Sequence, residues 1–332
     1  LATIIVIAGA IYYLESMKID TVVATDGDEN LSFVRPDKPP LKEGKYLLAP
    51  ELTGIAGYIN TEDKEIKLSD YEGKVVLVDF WTYSCVNCLR TLPYLNSWDE
   101  KYRNDGLVIV GVHSPEFAFE EKKENVEKAV KRYNIRYPVV QDNTHQTWAA
   151  YQNRFWPRKY LIDSEGYIRY DHIGEGGYEE TEMKIQELLR EAGFNVSAVL
   201  TEENSSQLRQ TTPELYASTL FAFPRGQFVG NKKIPEKTEE YILPNSLSDE
   251  NRIYLNGTWT DEIDRLKLIS DNGIIAMRFT ATEVNIVAQK ESEGISRMRI
   301  FIDGKPLKES EAGDDVFFEE GKSFIEIEEA RL

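Results

Sequence analysis

One stretch constrains this chain more than any other. In VVLVDFWTYSCVNCLRTLP, residues 75–80 read as a buried strand, and Leu89, Leu92, Leu95 and Trp98 fall at helical spacing just beyond it. Cys85 and Cys88 sit at the junction, and they are the only cysteines among the 332 residues. Two cysteines exclude a disulfide-rich secreted scaffold, a four-cysteine zinc ribbon and a four-cysteine iron–sulfur cluster. The first turn of a helix has unpaired N–H groups and a partial positive charge, which favour a thiolate over a thiol. Cys85, at the exposed end, is expected to be the nucleophile. Cys88, one turn on and facing inward, is placed to attack a mixed disulfide formed at Cys85. Such a pair exchanges electrons with a substrate disulfide without a bound cofactor. The alternatives are a structural disulfide, inert thiols, or half a zinc site. Zinc would need two of His113, His145 and His172 to converge, and none has metal-pair spacing. Asp79, an acid inside an apolar strand, is expected to be buried with a perturbed pKa, although such a residue can also cap a turn or bond a tyrosine.

The rest of the chain supplies the surroundings. Residues 107–112 (LVIVGV) read as a second buried strand, 120–133 as an amphipathic helix, 137–141 as a short strand and 144–152 as a short helix. Strands at 159–163 and 167–172 flank the turn Ser164-Glu165-Gly166, and a helix at 179–192 stops at Gly193. This alternation predicts an α/β layer fold with a central sheet over residues 46–195. Residues 196–238 form a connecting segment containing Ser, Thr and Pro. In 239–332, short β-rich runs at 252–255, 265–269, 274–280, 284–288, 298–302 and 323–327 alternate with Gly/Asn/Asp turns, including Asn256-Gly257. That pattern predicts an all-β, jelly-roll-like sandwich. Its Tyr254, Trp259, Phe317 and Phe318 are either core residues or a platform for stacking a sugar ring.

Charge and the amino terminus bear on partners. A net charge of −18 without a basic stripe argues against nucleic acid. Residues 1–14 (LATIIVIAGAIYYL) are uncharged and almost wholly apolar, short of the ~20 residues that span a bilayer. The chain starts at Leu1 rather than Met, so residues 1–15 are read as a partial transmembrane segment, with 16–45 as a polar, proline-containing linker. The expected location is membrane-anchored, with the folded domains extracytoplasmic.

These residues carry a resemblance to the thioredoxin-like superfamily, and within it to the TlpA/ResA type. Asp79-Phe80-Trp81 before the first cysteine and Pro93 five residues after the second match the thioredoxin pattern. The block between Leu107 and Gln152 resembles the insertion of the TlpA and peroxiredoxin branches, and Trp156-Pro157 stands where the family keeps a cis-proline. FWTYSCVNCLRTLPYL, GVHSPEFAFE, WPRKYLID and GEGGY are together similar to DipZ-type proteins of cytochrome c biogenesis and thiol–disulfide exchange. In those, a DsbD/CcdA-like membrane electron transporter precedes the thioredoxin and a carbohydrate-binding-module-like β domain follows it. The similarity runs from about Ala49 to the end of the chain.

The resemblance implies that the sheet of residues 46–195 is a thioredoxin-like mixed sheet flanked by helices. It implies roles as well. Cys85 attacks and Cys88 resolves. Asp79 takes the proton from Cys88. Pro157 presents its backbone to an extended client, Trp81 shields the pair, and Trp156 either borders the groove or fills the core. It also implies disulfide-bearing client proteins and an upstream membrane electron donor. Two positions depart from the family. Thr91 replaces a glutamate common three residues after the second cysteine, and Val86-Asn87 replaces Gly-Pro or Glu-Pro. The dipeptide helps set the potential, so the direction of transfer does not carry across; a reductase is the first expectation. Thiol peroxidase and a non-enzymatic glycan- or partner-binding scaffold remain open. His113 is read as a satisfied strand end or a neighbour of the pair, and Glu116 and Glu175 as solvated loop acids.

Overall fold

A computed structural model describes residues 38, 41–62, 64–196, 212–227, 229–231, 238–262, 265–281, 283–290, 296–313 and 315–327. The expected membrane segment and most of the linker lie outside the described residues. Among the described residues, no helix is long and apolar enough to cross a membrane.

A small hairpin, β1 (Leu41–Lys42) and β2 (Tyr46–Leu47), leads into a six-stranded sheet. Its strands are β3 (Gly57–Ile59), β4 (Val75–Trp81), β5 (Leu107–His113), β6 (Val139–Gln141), β7 (Arg158–Ile162) and β8 (Ile168–Ile173). Their order is β3-β6-β5-β4-β7-β8. β4, β5 and β6 run parallel; β3, β7 and β8 pair antiparallel to their neighbours. Every residue of β4 is buried, because both faces of the sheet are covered. Successive side chains point to opposite faces. Val76, Val78 and Phe80 therefore pack with Val110, Val112 and Ile162, and Val75, Leu77 and Trp81 pack on the other face with Leu92, Leu95 and Trp98 of α1 (Val86–Tyr102). Alternation puts Asp79 on this second face, the one that holds Cys88. α2 (Lys123–Arg132) and α4 (Tyr178–Glu191) cover the same face through Val126, Val130, Ile185 and Leu189, and α3 (Gln146–Ala150) is a single short turn.

Several expected boundaries shift for physical reasons. The helix expected at 120–133 divides into a 3-10 turn, Ala118–Glu121, and α2, because Lys122 between them is extended. The strand expected at 137–141 begins at Val139, after Pro138, whose nitrogen has no hydrogen to donate.

Beyond the connecting segment, which contains α5 (Thr219–Ala222), the chain is β-rich. β9 (Thr238–Tyr241), β10 (Ile253–Asp261), β11 (Leu266–Leu268) and β12 (Ile274–Met277) form one antiparallel sheet. β13 (Ser296–Arg299), β16 (Phe317–Glu319) and β17 (Lys322–Ile327) form a second, and β14 (Phe301–Ile302) with β15 (Lys305–Pro306) a third. Asn256-Gly257, expected as a turn, lies inside β10. The strand changes partners there, from β12 at 253–256 to β9 at 257–260. Gly257 has φ +98, and a Cβ would meet Asn272 O at 2.8 Å. The strand expected at 284–288 is not formed, and its Val284, Ile286 and Val287 are exposed. Tyr254 and Trp259 are buried, which removes them as a sugar platform, while Phe317 stacks on Phe324 at 5.6 Å.

The connecting segment is not a bare tether. Leu215 and Ala217 pack against the core of Tyr241, Ile253, Leu255 and Trp259. On its other side, Phe221 meets Phe117 edge-on at 5.6 Å, and Tyr216 Oη donates to Glu116 Oε1 at 3.2 Å. The segment therefore bridges the β-rich region and the loop that follows β5.

Candidate active site

The end of β4 delivers the chain into the turn Thr82–Ser84 and then α1. Cys85 is the N-cap residue of α1: its backbone is extended, and its Sγ accepts the Cys88 N–H at 3.3 Å. One orphan N–H of the first helical turn is thereby aimed at sulfur. Cys85 N–H donates to Thr82 O at 3.3 Å, closing the preceding turn. Cys85 is half-buried and Cys88 fully buried, and both are free thiols. Burial pushes the Cys88 thiol well up; the Cys85 sulfur against it adds to this, a backbone hydrogen bond at Thr82 opposes it, and the Asp79 carboxylate raises it further.

Asp79 is 1% exposed, and its Oδ1 has no hydrogen-bond partner among the described residues. Burial pushes its carboxyl up to about 7, against the pull of the Lys159 ammonium. Lys159 lies directly opposite Asp79 in the β4–β7 ladder and is itself 1% exposed. Its Nζ donates to Gly174 O at 3.3 Å and lies 5.6 Å from the centroid of the Tyr178 ring. A carboxyl of this kind exchanges a proton near neutral pH, beside a thiol that holds its own tightly.

The remaining sequence-derived residues surround this centre. The Trp156–Pro157 bond is cis. Trp156 Nε1 donates to Ser114 O at 3.0 Å, and its ring lies 4.3 Å from Trp148, so the indole is anchored rather than free. Trp81 is fully buried, edge-on to His113 at 5.2 Å. His113 stacks on Tyr83 at 5.6 Å and lies 3.3 Å from Thr82 Oγ1; burial pushes it down to about 3, so it is neutral. Thr91 donates to Asn87 O at 3.0 Å and lies 3.4 Å from Tyr178 Oη, packing where a family glutamate would bring charge.

The two loop acids differ. Glu175 is exposed, yet it pairs with Arg90 of α1 at 3.5 Å, and Arg90 also reaches Glu283 at 3.5 Å. Glu116 is not solvated as expected. Burial, then Glu214 and Glu120, push it up to about 7, against Tyr216 and Arg225. Two residues went unnoticed in the sequence. Lys159 read only as a strand position. Glu120 read as the start of a helix, although its carboxylate gathers backbone and hydroxyl donors from two loops. Only register would have revealed the first, and no local pattern marks the second.

The site thus brings together a thiol that caps a helix, a buried second thiol one turn on and a buried acid on the same face of the sheet. Residues 48–171 match the AhpC/TSA family, and residues 212–332 match the thioredoxin like C-terminal domain. The thiol-disulfide oxidoreductase ResA of Bacillus cereus is 31% identical over 127 residues, covering 38% of this chain and 70% of that protein. The thiol-disulfide oxidoreductase YkuV of Bacillus subtilis is 29% identical over 142 residues, covering 43% of this chain and 94% of its own. The chain belongs to the thioredoxin-like thiol–disulfide oxidoreductases of the ResA family. Its similarity extends across both regions to protein DipZ of Mycobacterium tuberculosis, 36% identical over 262 residues and 78% of this chain. The chain spans 37% of the length of that relative.

Proposed function

We propose that the chain is the extracytoplasmic, membrane-tethered part of a disulfide reductase, working through Cys85 and Cys88. The observation that carries this is the pairing of a half-buried capping thiol with a buried thiol and the buried Asp79. The Cys85 thiolate attacks a client disulfide, forming a mixed disulfide and releasing one client thiolate. Cys88 gives its proton to Asp79 and attacks Cys85 Sγ. The second client thiolate leaves, and the two electrons gained by the client are those lost in forming the Cys85–Cys88 disulfide. Pro157 offers its backbone to the client, Trp81 keeps water from the pair, and Trp156 forms the groove edge. Two thiols carry both electrons, so no cofactor is required. A dithiol donor, in this reading a DsbD/CcdA-like membrane domain, restores the reduced pair. The β-rich region, read as a jelly-roll-like sandwich, serves as a spacer or docking surface, with glycan binding as a further outcome to test.

Equilibration of Cys85/Cys88 in defined glutathione or dithiothreitol buffers tests the direction. A potential near about −270 mV supports a reductase; one near about −120 mV makes the chain an oxidant. Absence of disulfide reduction, together with Cys85 alkylation no faster than that of a free thiol, sinks the proposal. The AhpC/TSA match favours thiol peroxidase as the second reading. Peroxide consumption without a disulfide acceptor would select it, and glycan-array binding that survives loss of both cysteines would select the scaffold reading.

A further inference from the structure

We propose that Glu120 is a positioning residue for exchange at Cys85, an inference that rests on the reading of the thiol pair above. Its carboxylate is fully buried and, among the described residues, paired with no cation. Five donors surround it instead. Oε1 accepts from Thr82 Oγ1 at 2.5 Å, Ser84 Oγ at 2.5 Å and Ser84 N–H at 3.2 Å. Oε2 accepts from Glu116 N–H at 2.6 Å and Phe117 N–H at 2.9 Å. The first set fixes the turn whose Thr82 carbonyl receives Cys85 N–H, and so fixes the nucleophile as the cap of α1. The second set fixes the loop beginning at Ser114, whose carbonyl holds the Trp156 indole next to Pro157. One carboxylate thus sets the attacking sulfur relative to the edge where a client strand would lie. All five bonds are donated to its two oxygens, and a buried acceptor that loses such donors is costly. Glutamine cannot substitute, since its NH₂ would face either the Ser84 donors or the Glu116 and Phe117 N–H groups.

The test uses the full chain and the variants E120Q, E120D, T82V and S84A, each checked for folding by near-ultraviolet circular dichroism. Two readouts are taken: kcat and KM for a protein disulfide, and the equilibrium of Cys85/Cys88 with glutathione. E120Q is expected to lower kcat roughly ten- to a hundredfold with KM little changed. It is also expected to shift the equilibrium roughly tenfold towards the disulfide, because the Cys88 N–H bond to the reduced Cys85 Sγ depends on the turn that Glu120 holds. E120D recovers part of both effects, and T82V and S84A move both in the same direction by less. Wild-type values for folded E120Q overturn the proposal. If E120Q does not fold, wild-type values for T82V and S84A overturn it. A wild-type chain that reduces no disulfide defeats the reading of the pair instead, and the glutathione equilibrium of the variants still decides Glu120.

Discussion

Asp79 ties the protonation of the site to its stability. Its carboxyl is pushed up from 3.8 to about 7 by burial. A raised acid stabilises the fold fully below its unfolded value and loses that contribution as pH rises through the folded one. The window therefore runs from about pH 4 to about pH 7. Asp79→Asn, which has no proton to lose, is expected to be more stable than wild type above pH 7, by on the order of a few kcal/mol, with the difference closing towards pH 4. Chemical denaturation at several pH values checks this. The same variant is expected to slow release of the client from the mixed disulfide at Cys85, seen as trapped intermediate on acid quench. The placement of Cys85, Cys88 and Asp79 was legible because it is set by adjacent residues: a strand, a junction and a helix start. Glu120 was not, because its donors at Thr82 and Ser84 stand 38 and 36 positions away. Glu116 misled for the same reason, since its partner Tyr216 lies 100 residues on.

At the scale of elements, α1 depends on Cys85 for its cap, and on the proposed reading the same residue carries the chemistry. Cys85 Sγ accepts the Cys88 N–H, a task that a serine oxygen also performs and an alanine methyl cannot. Cys85→Ser and Cys85→Ala should both abolish disulfide reduction. Only the alanine variant should also lose about 0.5–2 kcal/mol of stability, measured by thermal or denaturant unfolding. Strands and helices of the sheet were legible where apolar residues run unbroken, as in β4 and β5. The short edge strand β3 was missed, because GYI carries too little pattern to stand out from loop. In the β-rich region, the Asn256-Gly257 signal was real but misassigned. A dipeptide that suits a hairpin also suits a strand that bends to exchange one neighbour for another, and only the ladder distinguishes them.

At the scale of the whole molecule, the connecting segment couples the β-rich region to the loop behind the thiols. Glu116, pushed up to about 7 by burial and by Glu214 and Glu120, is held by Tyr216 and opposed by Arg225. Its contribution to docking is complete below about pH 4.5 and is lost as pH rises through about 7. Hydrogen exchange at residues 212–227 should therefore quicken over that window, and Glu116→Gln should flatten the response. Tyr216→Phe should loosen the same segment by about 1 kcal/mol at low pH. No sequence pattern announced this contact, since it joins two regions that composition alone separates. The two thiols carry a last consequence. This chain has no third cysteine, and Cys88 lies out of reach beneath Cys85. On the proposed function, donor and client would take turns at one sulfur, as at a revolving door. On the proposed chemistry, steady-state kinetics should be ping-pong, with parallel double-reciprocal lines, and each protein in excess should inhibit the turnover of the other.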